Sequence, residues 1–327
     1  MKLLFESVIK TEHPFFSVCI ETHNRGKTIY RALESLLNQG VQNFECIVAD
    51  DSSSDDTVAE IERFISSDKY INAPYHFRMY QNEHSLGGVL NWNSPLENAK
   101  GKYIAGLEGD DYYMPFYLKK AYAVLSSNPN IGIYSTGSQR ALRPKKGLIN
   151  SREYFKYIYQ MENVSPPSEF IFKRLNKNRE PFKFDVVNNI YAPEIQLLLT
   201  ISEDGWDTFH SSDADIYREP STSLTNMTWK FFGDKFNIID KFKNHPNIDN
   251  KEFKQSFRRQ MVLSTRRFLV GDYQKKGNPE SIKTGIFTVL KNKNYPYTLL
   301  YLFIFKAILF LKNIQFFRLY FGLKKLI

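Results

Sequence analysis

The stretch FFSVCIETHNRGKTIYRALESLLNQGVQNFECIVADD, residues 15–51, decides the fold. Residues 15–22 are largely apolar and run into a turn-prone His-Asn-Arg-Gly, which predicts a strand that ends near Thr22. Apolar residues then recur at the spacing of one helix face, at Ile29, Leu33, Leu36 and Leu37. FECIVAD, residues 44–50, predicts a second strand. The stretch therefore indicates a strand-helix-strand unit, the building block of a parallel sheet.

The same alternation continues along the chain. It predicts further strands at 77–80, 103–107 and 131–135, and further helices capped by Asp55-Asp56 and over 88–99, 116–126 and from Pro193 onward. We therefore predict an α/β fold with an open, mostly parallel sheet flanked by helices. Residues 141–189 show weaker periodicity and are rich in Lys, Arg, Asn and Pro, so we expect a long excursion over the sheet.

Acidic residues follow two of the predicted strands. Asp50 and Asp51 end one strand, and AGLEGDDYYMP, residues 105–115, places Glu108, Asp110 and Asp111 at the end of another. The carboxyl ends of parallel strands share one edge of the sheet, where ligands bind. A single acidic pair there is commonly a helix cap or a solvated turn, but two clusters on one edge repel each other unless a cation is near.

The residue types narrow the chemistry at this edge. Carboxylate oxygens without a His or Cys cluster suit Mg²⁺ or Mn²⁺, which bind through one or two carboxylates and substrate phosphates. The chain contains neither a P-loop nor a G-x-G-x-x-G after its first strand. The sequence thus predicts a metal-dependent enzyme that binds a nucleoside diphosphate compound.

Composition and charge argue against several other classes of protein. The chain has 327 residues, 42% of them hydrophobic, and a net charge of +9. No acidic residue follows Glu280, and the basic residues after it account for nearly all of that charge, so the nearly neutral body disfavours nucleic-acid binding. Cys19 and Cys46 lie in apolar runs and are expected to be small buried residues. The first residues lack the pattern of a secretory signal.

Three blocks of sequence carry a resemblance to a known family. They are residues 15–57, residues 91–115 (NWNSPLENAKGKYIAGLEGDDYYMP) and the weaker APEIQLLLTISEDG, residues 192–205, with DIYR at 215–218. Together they resemble the family 2 glycosyltransferases with the GT-A fold. The resemblance implies transfer of a sugar from a nucleotide-activated donor, UDP-linked by expectation, with inversion at the anomeric carbon.

The resemblance also assigns roles to residues. Asp51 matches the aspartate that binds the donor's base, while Glu108 and Asp110 take the two acidic places of the D-x-D motif and are the implied metal ligands for Mn²⁺ or Mg²⁺. The full nucleotide-sugar-binding set is Glu21, Thr22, Asp50, Asp51, Asn93, Glu108, Asp110 and Asp111. Two of these depart from the family, because Glu21 stands where most members have proline and Glu108 where most have aspartate. Arg218 is a further candidate contact to the diphosphate, with a structural salt bridge as the alternative.

An inverting transfer needs a base that deprotonates the acceptor hydroxyl. Glu194, at the start of the helix after Pro193, matches the family's position for this carboxylate; a helix cap is the alternative role. Glu203 and Asp204 are the fallback. SPPSEF, residues 165–170, is expected to line the acceptor side.

The domain organisation follows from these assignments. Residues 1–230 are predicted to form the glycosyltransferase domain, with a donor half at about 13–125 and an acceptor half at about 126–230. Residues 231–327 are predicted to form a helical, basic region that ends in a membrane-associating tail, 295–327. The apolar run 297–317 contains Lys306 and Lys312, which favours an interfacial segment over a spanning helix or a packed one.

The resemblance and the tail together predict a cytoplasmic protein held peripherally on the inner face of the cell membrane. Its acceptor would be a glycan or a lipid-linked sugar. Two other readings stay open: a nucleotidyltransferase, which would normally carry a glycine-rich loop after the first strand, and an inactive, membrane-associated scaffold that binds nucleotide sugars.

Overall fold

The computed structural model describes residues 1–8, 11–71, 73, 75–138, 147–160, 166–185, 193–219, 235, 238–257 and 259–260. The strands are β1 Lys2–Glu6, β2 Phe16–Thr22, β3 Phe44–Asp50, β4 His76–Gln81, β5 Tyr103–Glu108, β6 Tyr112–Tyr113, β7 Ile131–Ser138, β8 Gly147–Ile149, β9 Phe170–Lys173 and β10 Asp207–Tyr217. The helices are α1 Ile29–Ser35, α2 Thr57–Ile65, α3 Asp68–Ile71, α4 Gly88–Asn91, α5 Asn93–Leu96, α6 Tyr117–Ser127, α7 Ser151–Tyr159 and α8 Pro193–Glu203. Two 3₁₀ turns cover Leu36–Asn38 and Pro167–Glu169.

The strands form one sheet in the order β1-β4-β3-β2-β5-β9-β7-β10-β6, with β8 paired to β10. The neighbours β4, β3, β2 and β5 are parallel, as are β7 and β10. This confirms the predicted α/β fold with a mostly parallel sheet. Strands β2 and β3 are buried along nearly their whole length because helices cover both faces of a parallel sheet.

Antiparallel pairs complete the sheet. β1 joins its outer edge against β4, and β9 lies between β5 and β7 in the opposite direction to both. Strands β1, β9 and β10 were not predicted. The segment 141–189 was wrongly expected to be an excursion over the sheet throughout, because its described part supplies β8, α7 and the central strand β9.

Two local predictions need correction. The helix predicted over 88–99 is two short helices, α4 and α5, since Pro95 has no N–H to continue a single hydrogen-bonded helix. The cap predicted at Asp55-Asp56 falls to Asp55 alone. Its carboxylate accepts hydrogen bonds from the amides of Gly26 and Thr57 at 3.1 and 3.0 Å, whereas the Asp56 side chain makes no capping bond.

The core beneath the sheet is rich in aromatic rings, including Phe16, Phe44, Phe64 and Tyr103. Cys19 and Cys46 are fully buried free thiols, as predicted, and burial raises the pKa of both above the ordinary value for cysteine. Neither thiol is suited to redox or metal chemistry, because the reactive thiolate form is disfavoured.

The chain divides into two compact units. Residues Met1–Thr222 and His245–Ile248 form the first, and Ser223–Asn244 and Asp249–Ile327 form the second. In the second unit the described residues 238–241 and 250–257 are helical. Within the described part of the chain, no helix has the length and apolar character needed to cross a bilayer. The predicted tail, 295–327, lies outside the described residues.

Candidate functional site

The carboxyl ends of β2, β3 and β5 bring the predicted site residues to one edge of the sheet. In the parallel register Glu21 lies opposite Glu108, and Thr22 lies opposite Asp50. Asp51 follows β3 directly, and Asp110 follows β5 after Gly109. The topology therefore places the two acidic clusters on either side of β2, as the strand pattern predicted.

The turn that carries Asp110 is fixed to its neighbours by Gly109. Its N–H donates to the carbonyl of Glu21 at 3.1 Å, and its carbonyl accepts from Thr28 Oγ1 at 2.9 Å. A Cβ on Gly109 would lie 2.7 Å from Thr22 Oγ1 and 3.2 Å from the Glu21 carbonyl oxygen. Only glycine lets the turn approach β2 this closely, so the position of Asp110 depends on it.

Two arginines face the carboxylates. Arg25 Nε lies 3.2 Å from Asp110 Oδ2. Arg218, just past β10, lies 3.5 Å from both Glu108 Oε2 and Asp111 Oδ2. The site thus combines acidic groups with guanidinium groups suited to a diphosphate.

Burial and crowding disfavour negative charge on several of these carboxylates. Burial raises the pKa of Glu108 well above its usual range, with Asp111 adding to the effect, and burial likewise raises the pKa of Asp111. Burial raises the pKa of Glu21 to about 7, although Arg25 acts in the opposite direction. The Arg218 guanidinium opposes the rise at Glu108 and Asp111 but does not cancel it.

The residues at this edge fit a divalent cation shared with a ligand rather than one enclosed by protein. Among the described residues no three His, Cys, Asp or Glu side chains converge on one point. Asp111 Oδ2 and Thr22 Oγ1 are nevertheless buried without a hydrogen bond. An open, oxygen-only set of one or two carboxylates completed by phosphates is what Mg²⁺ and Mn²⁺ use.

Asp51 anchors a neighbouring loop. Its carboxylate accepts hydrogen bonds from the amides of Leu86 and Gly87 at 2.7 and 2.8 Å, from Ser85 Oγ at 2.7 Å and from Asn82 Nδ2 at 2.8 Å. Burial opposes ionisation, yet these bonds hold the pKa of Asp51 below its ordinary value. Four donors occupy the carboxylate, so the predicted contact to a base would have to replace one of them.

The other predicted residues have different surroundings. Asp50 accepts hydrogen bonds from the amide of Ser53 and from Gln81 Nε2, both at 3.0 Å. The Asn93 side chain donates from Nδ2 to the Phe184 carbonyl at 2.9 Å, and its Oδ1 accepts from the Phe184 N–H at 3.0 Å. Asn93 therefore holds the chain that leads toward α8, and its predicted contact to the donor stays a prediction.

Glu194 lies in the first turn of α8 and is partly buried. The helix ends next to the start of β10, and β10 ends at the edge that carries Glu108 and Arg218. A helix that packs on a sheet and leads directly into a strand runs back along that strand, so we expect the first turn of α8 on the side of the acidic cluster. The role of Glu194 as base stays a prediction.

Ser168 is a site residue that the sequence did not reveal. Its Oγ accepts a hydrogen bond from the Glu108 N–H at 3.0 Å and lies 3.4 Å from Glu108 Oε2. The turn at 166–169 thus packs against the end of β5, and the expected place of this segment on the acceptor side stays a prediction. The available signal was Gly106, since a Cβ there would lie 2.8 Å from the Pro167 carbonyl oxygen.

A cleft of about 520 Å³ opens beside the loop held by Asp51. Asn82, His84, Leu86 and Asn93 line it, together with Met1 at the start of β1. Its volume falls in the range of small-molecule sites.

The central, mostly parallel sheet flanked by helices is the GT-A fold of glycosyltransferases. The chain belongs to glycosyl transferase family 2, whose model matches residues 17–178. That range contains β2 to β5, the acidic cluster and the Ser168 turn.

Curated relatives match parts of the chain. A UDP-Glc:alpha-D-GlcNAc-diphosphoundecaprenol beta-1,3-glucosyltransferase, WfaP of Escherichia coli, is 38% identical over 98 residues, which are 30% of this chain and 36% of that protein. A GalNAc(5)-diNAcBac-PP-undecaprenol beta-1,3-glucosyltransferase of Campylobacter jejuni is 28% identical over 185 residues, which are 54% of this chain and 57% of that protein. The matches cover less than two thirds of either relative.

Solved structures share the fold. TarS residues 1–349 from S. aureus superposes with a TM-score of 0.62 at 21% identity, over 84% of this chain and 78% of that one. The mannosyltransferase PcManGT from Pyrobaculum calidifontis, in complex with GDP-Man and Mn²⁺, gives a TM-score of 0.56 at 14% identity, over 97% of this chain and 84% of that one.

Proposed function

We propose that this protein is an inverting glycosyltransferase that moves a sugar from a nucleotide sugar, with UDP as the nucleotide, to a hydroxyl of a glycan or lipid-linked acceptor. The observation that carries the proposal is the edge where Glu21, Glu108 and Asp110 meet Arg25 and Arg218. Partly buried carboxylates beside guanidinium groups are suited to a metal-bound diphosphate, and family membership supplies the sugar-transfer chemistry.

Each group has a role in this proposal. Asp110 and Glu108 would hold Mn²⁺ or Mg²⁺, which would neutralise negative charge on the leaving diphosphate. Arg25 and Arg218 lie where they can donate hydrogen bonds to phosphate oxygens. Glu194 takes the proton of the acceptor hydroxyl while that oxygen attacks the sugar carbon from the face opposite the diphosphate, which inverts the anomeric centre.

The printed names of two relatives support the acceptor class. Both WfaP and the Campylobacter jejuni enzyme are described as acting on undecaprenol-diphosphate-linked sugars. A TarS structure is in complex with UDP-GlcNAc, which favours a UDP-linked donor. We infer a lipid-linked acceptor and a peripheral position on the cytoplasmic face of the membrane, with the basic tail 295–327 at the lipid surface.

Thermal unfolding in detergent tests the metal-diphosphate site. The wild type and Asp110→Asn are heated with UDP, GDP or their sugar conjugates, with and without Mn²⁺. Ligand at 100 times its dissociation constant stabilises by about 2.7 kcal/mol, a shift of a few degrees. We expect UDP to stabilise the wild type only with Mn²⁺ and to lose this effect in Asp110→Asn, while the exposed control Asp68→Asn keeps it. No shift with any nucleotide contradicts the site.

Activity assays distinguish loss of the catalytic base from loss of the nucleotide-binding site or of the fold. Glu194→Gln is expected to keep the nucleotide shift and to lose turnover by about 10²- to 10⁴-fold. Glu203→Gln, at the other end of α8, is the matched control because Glu203 is the fallback base. Loss of turnover in Glu203→Gln alone would move the base to the end of the helix. Nucleotide binding by the wild type without transfer to any acceptor would support the scaffold reading.

A further inference from the structure

Strand β1 is the outermost strand of the sheet. It pairs with β4 on one side, and its other side has no strand neighbour among the residues that the structure describes. Exposed apolar side chains lie along it and just beyond it: Met1 at 46% exposure, Leu3 at 44%, Leu4 at 38% and Val8 at 80%. An edge strand with exposed apolar residues is a template for pairing with another strand.

The charges of β1 are self-complementary. The sequence is Lys2-Leu3-Leu4-Phe5-Glu6, with opposite charges two residues either side of Leu4. If two copies of β1 pair antiparallel about a two-fold axis at Leu4, Lys2 of each copy lies opposite Glu6 of the other. Opposite charges in directly facing positions stabilise a strand pair, and here symmetry gives two such pairs.

We propose that two copies of this chain associate through β1 to form a symmetric dimer with one sheet continuous across the interface. The charges select this arrangement, since a parallel pairing would place Lys2 against Lys2 and Glu6 against Glu6. Glu6 contacts its own chain through one carboxylate oxygen, which lies 3.2 Å from His76 Nε2. The association closes at two copies because β6, the strand at the other end of the sheet, is two residues long.

β1 contains a bulge, a feature that in other edge strands works against pairing. The register with β4 shifts by one residue between Leu3 and Phe5, so Leu4 is the extra residue at the centre of the strand. Leu4 is also the residue on the axis that the charges select, so the paired strands must accommodate the bulge there. Pairing also brings Ser7 of the second copy opposite Met1, at the rim of the 520 Å³ cleft. The dimer would cover the exposed apolar residues near that rim.

Charge reversal tests the proposal in the full-length protein in detergent, with any purification tag at the carboxyl terminus. The mass of the protein is measured by sedimentation velocity, with the micelle contribution subtracted. A five-residue strand pair with a small apolar surround predicts a dissociation constant of about 1–100 µM. Lys2→Glu and Glu6→Lys should each weaken the dimer about tenfold or more, because each variant turns both attractive pairs into repulsive ones.

The decisive sample is a mixture. Lys2→Glu carries two negative charges in β1 and Glu6→Lys carries two positive charges, so the two variants should form a heterodimer when combined. The double variant Lys2→Glu/Glu6→Lys should also recover the homodimer. Control reversals at exposed residues of α6 and α2, Lys119→Glu and Glu62→Lys, should leave the dimer unchanged. A wild-type monomer at about 100 µM, or a dimer unaffected by any reversal in β1, overturns the proposal.

Discussion

At the scale of single residues, Gly109 shows how one missing side chain positions a charge. Its amide and carbonyl tie the turn at 108–111 to β2 and to Thr28, the residue before α1, and the space for a Cβ is taken by Thr22 and by the Glu21 backbone. Backbone atoms cannot move aside as a flexible side chain can. The site therefore has little tolerance at this position.

We predict that Gly109→Ala lowers the free energy of unfolding by about 1–3 kcal/mol, the usual cost of overpacking. It should also abolish the UDP and Mn²⁺ shift, because the turn that carries Asp110 must move. Urea unfolding and the nucleotide shift measure the two effects. Gly88→Ala is the matched control: nothing lies within 4 Å of its Cβ, so the change should stay within about 0.5 kcal/mol. Equal effects of the two substitutions would refute the steric argument.

Lys173 offers a test of charge at the opposite end of the sheet. Burial lowers the pKa of Lys173 to about 8, helped by Lys102 and Lys177, while its Nζ donates to the Pro129 carbonyl at 2.7 Å and lies 3.5 Å from the Trp206 ring centroid. Because the folded pKa lies below that of an unfolded lysine, the unfolded chain binds more protons above pH 8. Stability linked to this group is thus present at high pH and lost as pH falls to about 8.

We therefore predict that the wild type gains stability relative to Lys173→Gln as the pH rises from 7.5 to 10. The gain should be about 1 kcal/mol, since solvent screens a partly exposed lysine. Unfolding in urea at several pH values measures the difference. A constant difference over this range would show that the pKa of Lys173 is ordinary.

At the scale of elements, the Asp51 carboxylate organises the loop between β4 and α4. It accepts from two consecutive backbone amides, Leu86 and Gly87, and Gly87 has a positive φ of 87° that permits the turn. A carboxylate can accept four hydrogen bonds, whereas an asparagine at the same place would accept fewer and present an N–H₂ to some of these donors.

Asp51→Asn should therefore speed hydrogen exchange at the Leu86 and Gly87 amides by about tenfold or more, as hydrogen bonds to a charged group are lost. Asp50→Asn is the matched control, because Asp50 holds the Ser53 amide instead. Exchange should then rise at Ser53 and stay unchanged at Leu86 and Gly87. If both substitutions loosen both loops, the carboxylates act as one network rather than as separate anchors.

The elements also show what the sequence could and could not predict. β2 and β3 were predicted within one residue, because buried parallel strands read as apolar runs with clear turn signals. β9 has only four residues, and β10 contains Asp213 and Asp215, which interrupt its pattern. Asp215 is buried because Lys120 Nζ binds it at 2.7 Å and Thr136 at 3.1 Å. That compensation comes from residues about eighty or more positions away and cannot be seen locally.

Some features of the candidate site could also be predicted from the sequence, and others could not. Strand ends alone predicted that Asp50 and Asp51 share one edge with Glu108, Asp110 and Asp111, whereas Glu21 came from the family resemblance. The contacts of Asp51 to residues 82–87 and of Asn93 to Phe184 depend on how loops distant in sequence pack together. Residue type and spacing predict which edge of the sheet carries the acidic residues. The hydrogen-bond partners of each carboxylate or side-chain amide, in contrast, depend on the folded structure.

At the scale of the whole molecule, the edges formed by the carboxyl ends and by the amino ends of the strands carry different groups of charged residues. The carboxyl edge carries the candidate site, where the carboxylates of Glu108, Asp110 and Asp111 lie beside the guanidinium groups of Arg25 and Arg218. The amino edge carries a buried network around Glu45 and Arg78, which form an ion pair while nearly completely buried. Glu45 Oε1 accepts from Ser17 Oγ at 2.6 Å and from the Lys100 amide at 2.7 Å, and Arg78 Nη2 donates to the Asn98 carbonyl at 2.9 Å.

This network joins β2, β3, β4 and the chain before β5, so its loss should destabilise the unit as a whole. We predict that Glu45→Gln and Arg78→Met each lower the free energy of unfolding by about 3–5 kcal/mol, because each leaves a partner buried without its counter-charge. The double variant should cost much less than the sum, since no unpaired charge remains. Urea unfolding followed by circular dichroism measures the cycle. Glu60→Gln, which breaks the exposed pair with Arg63, is the control and should change stability by at most about 0.5 kcal/mol. Additive effects of the two buried substitutions would show that Glu45 and Arg78 stabilise the sheet independently of each other.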